Sequence, residues 1–347
     1  ARALIKRFKV MAKIDVTQER INQGGRISIN VGDSDYDLRV SVVPVPAGQS
    51  IVMRILNKGD FKTSLADLGF SETQLSLYRQ LINYPHGMVL TCGPTGSGKS
   101  TTLFASLNEI VRPDRKVMTV EDPIEYRVPG VVQVQVNSAP READKRVTFA
   151  NTLREFLRQD PDVILVGEIR DEETAHVSVQ AALTGHLVFS TLHTNDAIGA
   201  INRMKQMKVE SFLLASTVLG VVSQRLVRRT CPDCAEPVEV SAGDLEQFER
   251  HGIAPEKVSL KEGKGCPKCR RTGFRGRVGI FEMLPVTESI QDLIERDATK
   301  LEIFKQARGE GMRTLLDDGL AKAARGSITL SEVQRVCKLD LALARGS

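Results

Sequence analysis

The stretch Gly93-Pro-Thr-Gly-Ser-Gly-Lys-Ser100 constrains this chain more than any other. It fits the spacing G-x-x-x-x-G-K-[ST], follows an apolar run at 88–91 and opens a helical pattern at 100–111. Such a loop wraps a phosphate with its backbone N–H groups, and the helix behind it adds a favourable dipole. The spacing assigns Gly93, Pro94, Thr95, Gly96, Ser97, Gly98, Lys99, Ser100 and Thr101 to a nucleotide phosphate site. Within it, Lys99 reaches the outer phosphates and the Ser100 hydroxyl ligates Mg²⁺. At average residue usage, a chance match in a chain of this size is roughly a one-in-a-hundred event.

The pattern around the loop predicts the fold. Strands at 88–91, 117–120, 163–166 and 187–189 alternate with helices at 100–111, 148–158 and 172–183. Alternation of this kind implies an α/β fold with a parallel sheet covered by helices. Ligands then bind beyond the carboxyl ends of the strands. Upstream, residues 1–58 read as a small α/β unit with strands at 26–31, 36–43 and 51–56, and 59–70 as a linker. The ATPase-type core is expected over 71–227, a cysteine-rich module over 228–280 and short helices over 281–347.

Carboxylates stand at two strand ends. Asp162-Val-Ile-Leu-Val-Gly-Glu168 is an apolar strand ending in an acid, displaced by one glycine from the usual place. Val120-Glu-Asp-Pro-Ile-Glu125 presents Glu121, Asp122 and Glu125. Both sets suit a magnesium ion and an activated water. A third strand end lies in Thr184-Gly-His-Leu-Val-Phe-Ser-Thr-Leu-His-Thr-Asn-Asp196, with His186 and His193. Metal ligation, acid–base chemistry and ligand sensing are all open to that pair. Metal is disfavoured, because side chains seven apart on an extended stretch face opposite ways.

Cys231-Pro-Asp-Cys234 and Cys266-Pro-Lys-Cys269 form two C-x-x-C pairs in a chain of 347 residues with no export signal. That spacing reads as a structural zinc site, closed to catalysis. Cys92 and Cys337 read as core thiols. The net charge of +5 arises from interspersed charges and says little about partners. Lys264 to Arg277 is locally basic, with six Lys or Arg and no acid, and suits acidic lipid headgroups, nucleic acid or a partner protein. No apolar run reaches the roughly 20 residues of a membrane span. The first residue is Ala, so the reading is of a fragment with further sequence upstream.

Four stretches carry a family resemblance: GPTGSGKSTTL, VEDPIE, ILVGEIRD and TGHLVFSTLHTNDA. They resemble the Walker A, aspartate box, Walker B and histidine box of the ATPases of type II secretion and type IV pilus assembly. The likeness extends over essentially the whole chain, including DLRVS, VMRIL and the four-cysteine insert. The insert favours the secretion and assembly branches over pilus retraction. The resemblance implies a small PAS-like α/β domain, a RecA-like P-loop domain with a zinc insert, and C-terminal helices. It implies ATP and Mg²⁺ as cofactors with structural Zn²⁺, and ATP hydrolysis moving the small domain against the RecA-like domain.

By the same resemblance, Glu125 polarises the attacking water and Glu168 lies near Mg²⁺ and that water, with the two roles not separable by sequence. Glu121 shares the acidic strand end. His186 and His193 fall beside the γ-phosphate and a neighbouring subunit. Arg26, Arg39 and Arg54 reach the nucleotide from the small domain. The implied assembly is a homo-hexamer, peripheral at the cytoplasmic side of the inner membrane, acting on a platform protein. The main rival is a nucleic-acid translocase with a zinc ribbon, against which the absence of interleaved aromatics counts. A non-hydrolysing switch is disfavoured by the acidic strand ends together with Lys99 and Ser100.

Overall fold

A computed structural model describes residues 2–32, 34–57, 63–137 and 147–337. The chain divides into two compact units: Ala1–Lys62 with Pro123–Pro129, and Thr63–Asp122 with Gly130–Ser347.

The small unit contains α1 (Arg2–Met11) and a meander of β1 (Gln23–Val31), β2 (Ser34–Val45) and β3 (Gly48–Asn57). Its strands are antiparallel, as the tight turns predict. Alternation sends Ile27, Val40 and Val42 to a buried face, where they meet Ala12 and Ile14. The helix is legible only afterwards: Ile5, Phe8, Lys9 and Ala12 recur at helical spacing on its covered side. Lys9 buries its stem and donates from Nζ to the Gln18 carbonyl at 2.6 Å.

The larger unit begins with α2 (Glu72–Ile82), started by a reciprocal cap between Ser71 and Gln74. Then follow β4 (Gly87–Cys92), α3 (Lys99–Ile110), β5 (Val117–Glu121) and β6 (Val131–Gln135). After these come α4 (Phe149–Phe156), β7 (Val163–Val166), α5 (Glu172–Leu183), β8 (Leu187–Leu192), α6 (Ala197–Gln206) and α7 (Ser211–Thr217). The long β9 (Val218–Thr230) leads into the insert, which holds β10 (Ala235–Pro237), α8 (Ala242–Arg250) and β11 (Lys261–Gly263). The chain returns along β12 (Phe274–Pro285) and ends in α9 (Glu288–Glu295), α10 (Lys300–Gly309), α11 (Leu315–Ala324) and α12 (Leu330–Val336).

Seven strands form one sheet in the order β12-β9-β4-β8-β7-β5-β6. Only β12 runs antiparallel to its neighbour. The inner strands are buried along their whole length, which is why they read as continuous apolar runs.

The boundaries expected at 228 and 280 fall inside this sheet. β9 and β12 pair from Gly220↔Pro285 to Thr230↔Phe274, so the cysteine module is a loop-out between two sheet strands. The C-terminal helices also divide. Ile290, Leu293, Ile303 and Met312 join the main core, while Leu315, Leu320 and Val333 share a second core with Phe248 and Leu260 of the insert. Among the described residues, no helix is long and apolar enough to cross a membrane.

Candidate active site

The glycine-rich loop joins β4 to α3 as the spacing predicts. Lys99 is 9% exposed, and its ammonium donates to the carbonyls of Gly93 at 2.8 Å and Pro94 at 3.2 Å. The cation is thereby held inside its own loop. Pro94, Thr95 and Gly96 are exposed at the tip, Ser97 is buried, and Ser100 and Thr101 are half-buried on the first turn of α3. That turn presents its leading backbone N–H groups toward the loop.

The adjoining strand ends complete the arrangement. β4 and β8 are parallel and in register, Cys92 opposite Leu192, and Gly93 donates its N–H to Leu192 O at 3.3 Å. Thr191 Oγ1 donates to Gly167 O at 2.8 Å, and Ile169 N–H to Thr191 O at 3.0 Å. These bonds lash the exit of β7 to that of β8. Glu168, 13% exposed, consequently meets His193 Nε2 through Oε2 at 3.3 Å, while Oε1 meets Arg170 at 2.6 Å. A carboxylate so placed can ligate a divalent cation or orient a water. Arg170 and His193 also line a cavity of about 650 Å³ with Ile169, Thr194, Asn195 and Asp196.

Of the other expected site residues, His186 and Glu121 belong to the larger unit, with Glu121 closing β5 at the same sheet end as Glu168, and Glu125 belongs to the small unit. His186 precedes β8, and because β4 and β8 run parallel it stands at the sheet end opposite Gly93. Six strand residues separate those ends by about 20 Å. Its Nδ1 lies 2.9 Å from Ala181 O and 3.2 Å from Thr184 Oγ1, on the turn that ends α5. Within this chain, of the two histidines expected beside the γ-phosphate and a neighbouring subunit, His193 stands at the loop end of the sheet and His186 at the far end. Glu121 is 4% exposed, and its Oε1 accepts from Thr119 at 2.6 Å and Gln133 at 3.1 Å. Glu125 is half-buried on the segment Pro123–Pro129 of the small unit.

In that unit, Arg26 pairs with Arg39 and Arg39 with Arg54, so all three project from the exposed face of the meander in one row. With Gly24, Gly25 and Ser41 they line a cavity of about 550 Å³.

The sequence reading missed Arg170, Gln224 and Arg225. Arg170 was legible in principle, two residues beyond Glu168. Arg225 donates to Asn195 O at 2.8 Å, and Gln224 bonds the glycine-rich loop. Neither is a neighbour in sequence of what it touches.

The four cysteines of the insert converge as their spacing predicts. Their sulfurs lie within 4.8 Å of one another, with Cys231–Cys266 and Cys234–Cys269 each at 3.9 Å. A tetrahedral zinc site with bonds of about 2.3 Å separates its sulfurs by about 3.8 Å, so the set fits zinc. The N–H of Cys266 donates to Cys269 Sγ at 3.0 Å and pulls that thiol down to about 6. The basic stretch is partly neutralised: Lys268 and Arg275 pair with Asp233 at 2.5 and 2.6 Å. Arg270, Arg271 and Arg277 remain exposed. Cys92 and Cys337 are buried, and burial pushes the Cys92 thiol up to about 12.

Known proteins resemble this chain in sequence and in fold. The family model for "Type II/IV secretion system protein" matches residues 1–335. The chain is 48% identical over 335 residues to the type II secretion system ATPase E of Vibrio cholerae, covering 96% of this chain and 65% of that protein. It is 46% identical to a type II secretion system protein E of Pseudomonas aeruginosa, covering 97% of this chain and 66% of that one. It thus spans about two thirds of the length of these relatives. A crystal structure of the pilus retraction motor PilT with bound ADP superimposes with a TM-score of 0.63 at 27% identity, covering 91% of this chain and 78% of that one. The Legionella pneumophila ATPase DotB shares the fold, with a TM-score of 0.65 at 23% identity over 93% of this chain and 78% of its own. Matched by that family model over residues 1–335 and 48% identical to the Vibrio cholerae protein, the chain belongs to the type II/IV secretion system protein family.

Proposed function

We propose that this chain binds ATP with Mg²⁺ on the loop 93–101 and hydrolyses it to ADP and phosphate. The observation carrying this reading is the convergence of Lys99, Glu168 and His193 at one end of a parallel sheet. Lys99 would cradle the outer phosphates and Ser100 would hold the magnesium ion. Mg²⁺, when bound, neutralises charge on the phosphates. Glu168 is the group to orient the attacking water, with His193 and Arg170 fixing its two oxygens. The arginine row of the small unit is a phosphate-binding surface by charge and spacing.

The cysteine cluster would hold a structural zinc ion, all four positions taken by thiolates. The relatives named as type II secretion proteins support a motor for pseudopilus assembly rather than pilus retraction. In this reading the protein works as a homo-hexamer on the cytoplasmic side of the inner membrane. There it drives a platform protein, with acidic lipid meeting the exposed arginines of the insert.

The test is Mg²⁺-dependent ATPase rate of the purified chain, with acidic-lipid vesicles and single-stranded DNA as separate additions. Turnover that rises with protein concentration or with lipid, and ignores DNA, is the expected result. Stimulation by DNA alone, lost at high salt, would make the protein a nucleic-acid translocase.

A further inference from the structure

β9 runs beside β4, with Ser223 opposite Cys92, so the next residue, Gln224, comes level with the start of the glycine-rich loop. Its side chain is 2% exposed and both ends of its carboxamide are engaged. Nε2 donates to Ser97 O at 2.7 Å, and Oε1 accepts from Thr102 Oγ1 at 2.8 Å. One carboxamide thus joins the inner part of the loop to the first turns of α3.

The loop is shaped around this residue. A Cβ on Gly93 would stand 2.6 Å from Gln224 O, and one on Gly98 would stand 3.0 Å from Gln224 Nε2. Both glycines have positive φ, at 148° and 91°. Close approach and left-handed backbone therefore demand glycine there together. Ser97 and Gly98 immediately precede the Lys99 ammonium, so the bond to Ser97 O fixes the backbone that aims it.

We propose that Gln224 is a positioning residue for nucleotide binding: through Ser97 and Thr102 it holds the loop in its phosphate-wrapping shape. The role needs an amide at this place. An apolar side chain leaves the Ser97 carbonyl buried without its donor, and a carboxylate keeps the Thr102 bond but turns an acceptor toward that carbonyl. The inference rests on the proposed ATP binding at 93–101.

The experiment compares the full chain with Gln224→Met, Gln224→Glu and Thr102→Val, using a fluorescent ATP analogue with Mg²⁺, steady-state KM and kcat, and thermal midpoint. Losing one bond to a buried carbonyl should weaken analogue binding roughly 5- to 150-fold in Gln224→Met, with KM rising more than kcat falls. Gln224→Glu should be no better than Gln224→Met. Thr102→Val should weaken binding a few-fold and add nothing to Gln224→Met when combined. That non-additivity marks one shared linkage. Analogue affinity and KM unchanged in Gln224→Met, even with a lowered midpoint, would reduce Gln224 to packing and overturn the inference. Should Gln224→Met not fold, Thr102→Val decides in the same way. A wild-type chain that fails to bind the analogue overturns the proposed function and this inference together.

Discussion

At the scale of single residues, the site turns on which groups share one end of a sheet. Glu168 has both oxygens engaged, by Arg170 and His193. Glu168→Gln keeps the shape and removes the charge, so kcat should fall by about 10²–10⁴ while analogue binding stays within a few-fold. Steady-state rates beside a binding titration check this; an unchanged kcat would move the role to another acid. The histidines provide a contrast. His193→Ala should lower turnover clearly, whereas His186→Ala should lower it less, because His186 is tied to the turn after α5 at the far end of β8. Equal losses in the two variants would mean that the sheet end alone does not assign them.

Elements transmit what the residues hold. α12 is anchored to β9 by Glu332, 1% exposed, which accepts from Arg228 N–H at 2.8 Å and Nη2 at 2.7 Å, and from Arg335 at 2.8 Å. Burial pushes this carboxyl up, but the bonds from Arg335 and Arg228 outweigh it and bring it down from 4.5 to about 2. The folded-state value lies below the unfolded one, so this contribution is complete above about pH 4.5 and is lost as pH falls toward 2. Because both arginines are about half exposed, the anchor stabilises by roughly 2–3 kcal/mol at neutral pH. Glu332→Gln should therefore lower the denaturation midpoint at pH 7, and the gap to wild type should close in acid. A gap independent of pH would show that shape, not charge, holds the helix.

The insert is the second element with a test. Chelation should release one zinc per chain, measured with a colorimetric indicator, and loosen the insert, because such sites contribute about 10–16 kcal/mol in small zinc modules. Retention of the insert's fold in a Cys231→Ser/Cys266→Ser variant would assign its stability to the Phe248 and Leu260 core instead.

For the whole molecule, the insert hangs between β9 and β12, and β9 carries Gln224 and Arg225 against the two loops of the site. Strain in the insert has a short route to the nucleotide loop: six residues of one strand, 225–230, separate Gln224 from Cys231. Zinc removal should accordingly weaken analogue binding as well as stability. Unaltered affinity in the zinc-free chain would confine the zinc to local structure.

Much of this was legible in the sequence for one physical reason. A phosphate loop, a carboxylate closing a buried strand and paired C-x-x-C turns each need their residues at fixed local spacing. Hence 93–101, Glu168 and the cysteines could be named from spacing alone. Residues joined by pairing across the sheet could not. Arg26, Arg39 and Arg54 become a row through strand register, His186 and His193 stand at opposite sheet ends because β8 runs between them, and Gln224 reaches the glycine-rich loop because β9 lies beside β4. Those outcomes depend on strand order and register between segments from about a dozen to more than a hundred residues apart. Hydrophobic pattern says that a strand is buried, but only the folded sheet decides its neighbour.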